Sequence, residues 1–546
     1  MAAWGDNLPP SWRVEAALWI SVGLPVMSSL DPILVVGGGP VGLTTALMLS
    51  RHGVAVRIIE SLPEPSPYSK ALAFWRRTLL TLDPVLPIEH VAEGHREIRG
   101  VRICADFKPL GEVSFAQDDR GIVPGLFVPQ YDTERLLLEA LSARDVQLER
   151  STTLRSFEAD DDGVWASLQG PGGEERIRTP WLVGCDGGHS SIRHVLGLSF
   201  PGDTKNRRWL LGDIRINEDE GLHQIIVETS AKGTVAMFPM GPNHWRLMAD
   251  GGPVQDGEPP TTVDLETMQD IVNTRTSRHW TITSADWLTE FRINERQVDN
   301  YVHGRVLLAG DAAHVHSPAG GQGMNTGMQD AANLAWKIAV WAKGGADDSL
   351  LQTYQAERHP IGHSVVKNSS MMMRAATPTN SFVRGLRSLV IPMALGIDPL
   401  RQKIVASLTE DTVTYRHGPL AGARRSHVTH GPGDGFPDQL IDFGGTNRPA
   451  TDLLRNPHAT LVVFGPDQSL PPITMGAGGA GLEVTVRRVG DGGDATDAGG
   501  RLAAALGLDA SGLVLVRPDG IIAVTSEDIG EVQAWCESLG QVASTV

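Results

Sequence analysis

Gly37-Gly38-Gly39-Pro40-Val41-Gly42 follows the apolar run Ile33–Val36 and precedes a helical pattern from Leu43 to Ser50, and this junction restricts the fold more than any other stretch of the chain. Gly37, Gly39 and Gly42 fit G-x-G-x-x-G. In that pattern the first glycine permits a tight turn and the second lets backbone approach a pyrophosphate. The third lets helix and strand pack closely. Pro40 and Val41, inside the turn, fall at the same ligand. Val54–Ile59 reads as the second strand, and Glu60 ends it, followed by Ser61. Glu60 lies 18 residues past Gly42, the place for a carboxylate on a ribose hydroxyl. Strand, turn, helix, strand and acid in this register predict a Rossmann-like α/β domain that binds a dinucleotide. The rival reading is a glycine turn with no ligand. The motif alone does not separate FAD from a nicotinamide nucleotide.

Two later segments repeat the strand–turn–helix pattern. In the run from Arg305 to Ile338, Val306–Ala309 is a short apolar strand, and Gly310-Asp311 stands at its end, where an open α/β sheet binds ligands. Pro318, Gly320, Gly321 and Gly323 bring bare backbone toward something flat. Met324 and Asn325 open a helix that continues through Met328, Ala331, Leu334, Ala335 and Ile338 at helical spacing. A helix N-terminus carries free N–H groups and partial positive charge, which suits a cofactor ring that becomes anionic. The second segment, Trp181 to Arg193, is a strand, a turn at Asp186-Gly187 and a helix start.

The order G-x-G-x-x-G, D-G, G-D resembles the class A FAD-dependent aromatic hydroxylases, a flavoprotein monooxygenase family. Gln130 in VPQYDTERLL resembles the helix start that touches FAD there. SKALAFWRRTLLTLD resembles the family's "R-A…R-T-L-E" segment, with Arg77 matching the second arginine, Lys70 replacing the first and Leu80 the glutamate. The resemblance covers about residues 30–375. It implies FAD held by Glu60 at the adenosine ribose and by Asp311 at the ribityl chain or pyrophosphate, with Asp186 acting mainly through structure. It also implies NADPH or NADH as co-substrate without a separate nicotinamide domain, and indeed no second G-x-G-x-x-G follows a strand.

Length and composition set the frame around these motifs. At 546 residues the chain is too long for one core. The expected division is a disordered extension at 1–30, its first 26 residues an over-extended start, then a discontinuous FAD-binding domain at 31–200 and 296–375. A β-sheet substrate domain follows at 201–295, with strands at Trp209–Ile216, Gln224–Thr229, Thr234–Phe238, His244–Asp250 and Ser284–Ile293. Residues 376–430 form a helical connection. Residues 431–546 resemble the thioredoxin-like domain of phenol-hydroxylase-type members, without a redox pair, because Cys536 is its one cysteine. The net charge of −17 argues against nucleic acid as a partner. Three cysteines with no CxxC or Cys/His spacing predict no metal site and fit a cytoplasmic protein. No stretch of about 18 consecutive apolar residues exists, so no spanning helix is expected. A homodimer is one possible state of assembly.

Together these readings predict an NAD(P)H- and FAD-dependent monooxygenase that hydroxylates a phenolic or polyketide-type aromatic substrate through a flavin hydroperoxide. The alternatives are Baeyer–Villiger oxygen insertion on a polycyclic substrate and a flavin-binding protein without oxygenase activity. No catalytic base stands out; Tyr68, His223, Arg246, Arg292 and Tyr301 are the candidates. His314 and His316 read as loop hydrogen-bonding residues. Trp75, Trp209, Trp245 and Trp287, with Met371, Met372 and Met373, read as core packing or as walls for a planar substrate.

Overall fold

Ile33–Val36 is buried at every residue and pairs in parallel with Val56–Ile59 on one side and Leu182–Gly184 on the other. A continuous apolar run, not an alternating one, is what a strand covered on both faces requires. Val306–Leu308 pairs in parallel with the far side of Leu182–Gly184. Val302–His303 and Leu148–Glu149 complete a six-stranded sheet. Because Ile33–Val36, Leu182–Gly184 and Val306–Leu308 are adjacent and parallel, the turns that follow them emerge side by side at one edge. That edge is the carboxyl end of the strands, where open α/β sheets take ligands. The computed structural model describes residues 31–115, 122–217, 221–255, 257–376, 393, 396–424, 428–465, 482–508 and 511–539. The expected extension at 1–30 lies outside them, as does much of the connection at 376–430.

The first helix spans Pro40–Arg51, three residues earlier than the apolar periodicity marks, because proline's fixed φ and missing N–H suit a first helical position. It lies against the long helix Gly323–Ala342. Gly327 makes that approach possible: a Cβ there would sit 2.6 Å from Val41 Cγ2 and 3.1 Å from Gly310 Cα.

All five strands expected in the substrate domain form, and all run longer, as Gly202–Ile216, Gln224–Ser230, Gly233–Gly241, His244–Pro253 and Ile282–Gln297. The span of 201–295 needs correction, however. Gly100–Ala105 adds in parallel to Gln224–Ser230, Lys108–Ser114 follows it, and His314–Val315 closes the opposite edge, giving eight strands. Covering a sheet edge with a strand from elsewhere in the chain removes unpaired backbone groups. Side chains alternate across this sheet. One face, with Ile214, Trp245 and Leu247, packs on the helix Leu265–Arg275. The other face, with Trp209, Ala236, Met248 and Ile293, turns toward Met373 on the helix Ser349–Ala376. Phe238, on the same face, also touches a second apolar group that includes Trp75, Met240 and Leu408, the last from the helix Asp398–Leu408.

The main sheet of the C-terminal unit is ordered Val484–Val489, Ala459–Phe464, Gly512–Val516 and Ile522–Ser526, with the first pair parallel and the rest antiparallel. Its last helix, Ile529–Ser538, is capped by Asp528, whose carboxylate accepts from Gly530 N–H at 2.8 Å. Cys536 is buried in the core of this unit.

Candidate active site

Two glycines of the first turn, Gly37 and Gly42, tolerate nothing larger. A Cβ on Gly37, at φ +112°, would meet the Cys185 carbonyl oxygen at 2.3 Å, and one on Gly42 would meet the Gly37 oxygen at 1.9 Å. Gly39 differs: among the described residues no atom lies within 4 Å of its would-be Cβ, so its bare backbone faces open space. Glu60 closes the turn from the second strand. Its carboxylate accepts Gly38 N–H at 2.7 Å, Leu62 N–H at 2.9 Å and Ser61 Oγ–H at 3.0 Å.

In the second turn Asp186 Oδ2 accepts the N–H groups of Ser191 (2.7 Å) and Ile192 (3.2 Å), anchoring the helix Ser191–Val195. Its Oδ1 is buried and without a hydrogen-bond partner among the described residues. Arg193 ties this turn to the third by donating to the Gly188 carbonyl at 2.7 Å and the Ala312 carbonyl at 3.1 Å.

The third turn, Gly310-Asp311, is held from beneath by a group that lies outside all three motifs. Asp330, fully buried on the long helix, accepts Gly310 N–H at 3.1 Å and His314 Nε2 at 2.8 Å with one oxygen. Its other oxygen accepts Arg358 Nε at 2.6 Å. Burial opposes the charge on Asp330, but Arg358 and His314 overcome it and hold the carboxyl below the usual range. Asp311 itself is exposed, yet desolvation by the protein around it pushes its carboxyl up, against the pull of His314 and Lys70. Asp330 recurs at the helical period of the long helix, so a polar residue inside an apolar stripe was the available signal.

Pro318 to Gly323 form the wall beside this turn. Gly320 and Gly321 have φ of +92° and +63°, and Gly321 N–H returns to the Pro318 carbonyl at 2.9 Å. Trp75 Nε1 donates to the Gly320 carbonyl at 2.8 Å. Asn325, expected at the cofactor, spends its side chain on backbone instead. Its Oδ1 accepts Trp75 N–H at 2.9 Å, and its Nδ2 donates to the carbonyls of Ala73 (2.8 Å) and Gly321 (3.0 Å). Met324 is partly buried against the main core, and Pro318 is exposed. Burial lowers His316 to about 4, so the imidazole beside Gly323 is neutral.

Gln130 opens the helix Gln130–Ser142, bonded to Ser69 Oγ at 2.8 Å and to Lys70 N–H at 3.2 Å. Arg77 is the misplaced expectation. Its helix, Arg76–Leu82, turns Thr78, Leu79 and Leu82 inward, which leaves Arg77 facing the C-terminal unit. There its guanidinium borders Gly435 and a small cavity shared with Phe436, Pro518 and Asp519.

On the substrate sheet, Arg246 and Asp213 form a buried two-point ion pair at 2.7 Å, and Arg246 also donates to the Ser69 carbonyl. Tyr68 stacks on Trp287 at 5.2 Å beside this pair. Tyr301 belongs instead to the core beneath the third turn, stacked on His314, and Arg292 bonds Lys205 and Asn206 on the neighbouring strand Gly202–Ile216. Trp245 packs in the far-side core, while Trp75 and Trp209 border the inner face. Of the three methionines, Met373 reaches that face; Met371 and Met372 are exposed.

A family model described as an FAD binding domain matches residues 31–369. The chain belongs to the FAD-dependent aromatic hydroxylases. This hydroxylase is 32% identical over 543 residues to a 6-methylpretetramide 4-monooxygenase of Streptomyces rimosus, covering 93% of each chain. It is 30% identical to a pentachlorophenol 4-monooxygenase of Sphingobium chlorophenolicum, across 81% of each. An anhydrotetracycline hydroxylase from Streptomyces rimosus, solved as a structure, is 29% identical with a TM-score of 0.74, covering 93% of this chain and 99% of that one. The hydroxylase is thus an FAD-dependent monooxygenase of aromatic substrates. FAD fits the cleft on its own geometry: Gly39 leaves room for a pyrophosphate, Asp186 presents an unpaired buried oxygen, and a helix N-terminus faces the glycine wall. Among the described residues no helix is long and apolar enough to cross a membrane.

Proposed function

We propose that the enzyme uses NADPH or NADH to hydroxylate a fused-ring, phenolic aromatic of the polyketide type. FAD, when bound, supplies the electron transfer from the nicotinamide and the activation of oxygen. The protein's part is to bind, orient and exclude water. In this reading the Gly37–Gly42 turn and the Asp311 carboxylate hold the dinucleotide's phosphates and ribityl chain. Glu60 and Ser61 lie at the adenosine ribose. The N–H groups of Gly323, Met324 and Asn325 open the long helix without intrahelical acceptors, and they aim partial positive charge at the flavin pyrimidine. Arg77 has no part in this set.

The observation that carries the substrate reading is the inner face of the eight-stranded sheet. Val227, Phe238 and Phe291 are half-buried there although they lie inside the molecule, between the sheet, Met373 and the helix Asp398–Leu408. A broad apolar wall with one ion pair, Arg246–Asp213, suits a large planar molecule with few polar groups. The named activities of the relatives on pretetramide and anhydrotetracycline support the same class. Three buried free thiols support a reducing, cytoplasmic setting.

The test is NAD(P)H oxidation with purified holoenzyme against two panels, single-ring phenols and fused-ring phenolic polyketides. Hydrogen peroxide release is followed in parallel, with oxygen-18 tracing into product. Fused-ring compounds should raise NAD(P)H oxidation and suppress peroxide. Better coupling with single-ring phenols would reject the substrate class. A ring-expanded lactone carrying the label would favour oxygen insertion, and reduction with no labelled product on either panel would leave a flavin protein without oxygenase activity.

A further inference from the structure

The C-terminal unit grips the cofactor-bearing helices at positions remote from the cleft. Arg51, at the end of the first helix, inserts into it and donates to the Asn456 carbonyl, and His52 bonds the Pro457 carbonyl at 2.9 Å. Arg517, 2% exposed, reaches the other two helices. Its guanidinium donates to both oxygens of Glu357 at 2.6 and 3.0 Å and to both oxygens of Asp519. Glu357 also accepts from Lys337 at 2.8 Å and from Asn333 at 2.7 Å, both on the long helix. This is a charge-balanced buried cluster in which every member has a partner.

Glu357 is followed in the chain by Arg358. Arg358 holds Asp330, which holds Gly310 N–H, and it also donates to the Thr326 carbonyl at 2.9 Å in the first turns of the long helix. Tyr415 lies between the two arginines: its hydroxyl accepts from Arg358 at 2.9 Å, and Arg517 stands 5.4 Å above its ring. From Arg517 to the Gly310–Asp311 turn, every link is a buried hydrogen-bonded contact or a peptide bond.

We propose that Arg517 is a positioning residue for FAD, setting the Gly310–Asp311 turn and the start of the long helix through Glu357, Arg358 and Asp330. The idea rests on the FAD reading of the cleft and extends it: the C-terminal unit is part of the cofactor site's support. A two-point guanidinium on each of two carboxylates fixes the rotation of the helix Ser349–Ala376 as well as its distance, which a point charge would not do.

The experiment compares R517M, R517K and R455A in the full chain. FAD is titrated into each apoprotein by flavin fluorescence, the bound absorption spectrum is recorded, and urea midpoints are measured alongside. R455A removes the Arg455 pairs with Asp83 and Asp452 at the same interface and leaves Glu357 untouched. R517M should weaken FAD at least about tenfold and shift the flavin band, a size ordinary for coupling between remote sites. R517K should recover part of the loss, and R455A should stay within about twofold of the parent. A folded R517M with parental affinity overturns the proposal, as does an R455A that loses as much affinity. Should R517M fail to fold, the wild-type protein decides. FAD saturation should slow hydrogen exchange at the Arg517 and Gly520 amides, which bond Ile521 and Arg517, more than in Ala459–Phe464, and equal protection in both overturns it. Wild-type protein that takes up no FAD would instead reject the reading of the cleft itself.

Discussion

Replacing Asp330 by asparagine tests whether the third turn is held electrostatically from below. The substitution keeps the shape and one acceptor oxygen but removes the charge facing Arg358 and His314, which are both fully buried. An amide has one oxygen for three donors: Arg358 at 2.6 Å, His314 at 2.8 Å and Gly310 N–H at 3.1 Å. Breaking a buried pair by removing one partner costs about 3–5 kcal/mol. That is a large share of the roughly 5–15 kcal/mol of net stability ordinary for a folded domain. The Tyr415 hydroxyl and Thr326 carbonyl still accept from Arg358, which places the expected loss near the lower end of the range. Because Asp330 titrates lower folded than unfolded, its contribution is present above its unfolded pKa and is lost as pH falls through the folded value. D330N should therefore flatten the acid limb of the stability curve. Urea midpoints of the apoprotein for D330N, R358M and the double variant, at neutral pH and at pH values below the ordinary 3.8 of an aspartate, measure this. The double variant should cost less than the two singles together, with coupling of about 1 kcal/mol or more. Single losses below about 1 kcal/mol, or strict additivity, would refute the reasoning.

Gly39→Ala should leave the apoprotein's urea midpoint unchanged yet weaken FAD strongly, since its Cβ meets no atom of the described residues; a lower midpoint would contradict that geometry. Gly42→Ala should do the opposite first, lowering the midpoint through a destabilisation of about 1–3 kcal/mol, because its Cβ would lie 1.9 Å from a carbonyl oxygen. Glu410, buried with Gln329 and two threonine hydroxyls, is raised by desolvation to about 8 from 4.5. The folded state therefore keeps this proton longer than the unfolded one, and stability from this group falls as pH rises from about 4.5 to 8. Glu410→Gln should remove that decline, a gain on the order of a few kcal/mol at pH 8 read from pH-dependent melting; an unchanged slope would count against it. Met248→Trp should fill the inner face of the sheet, raising KM for fused-ring substrates more than it lowers FAD affinity in the titration.

Much of this was legible in local pattern. Ile33–Val36, the Gly37–Gly42 turn, Asp186 and Gly310–Asp311 could be aligned because each joins a short apolar strand to a helix start, and the parallel sheet does bring them to one edge. What escaped was long-range. The Gly100–Ala105 and Lys108–Ser114 strands join a sheet whose other members begin about a hundred residues later, at Gly202, and alternation cannot name a partner. Arg77 matched a motif by type, but the inward packing of Thr78 and Leu79 turned it away. Asn325 was placed at the right wall yet is saturated by Trp75, Ala73 and Gly321. The Asp330–Arg358 and Glu357–Arg517 contacts join residues unremarkable in isolation, and only packing reveals that burial forces them together.

The interleaving of the two large sheets also orders events on the ribosome. The dinucleotide-binding sheet begins at Ile33 and waits for Leu308, and the substrate sheet begins at Gly100 and waits for Val315. The first cannot close before residue 308 nor the second before residue 315, so more than half the polypeptide emerges with unpaired strand edges. Cofactor capture is thereby a late step, and a fragment cut anywhere upstream is an unfinished pair of sheets with no smaller oxygenase inside it.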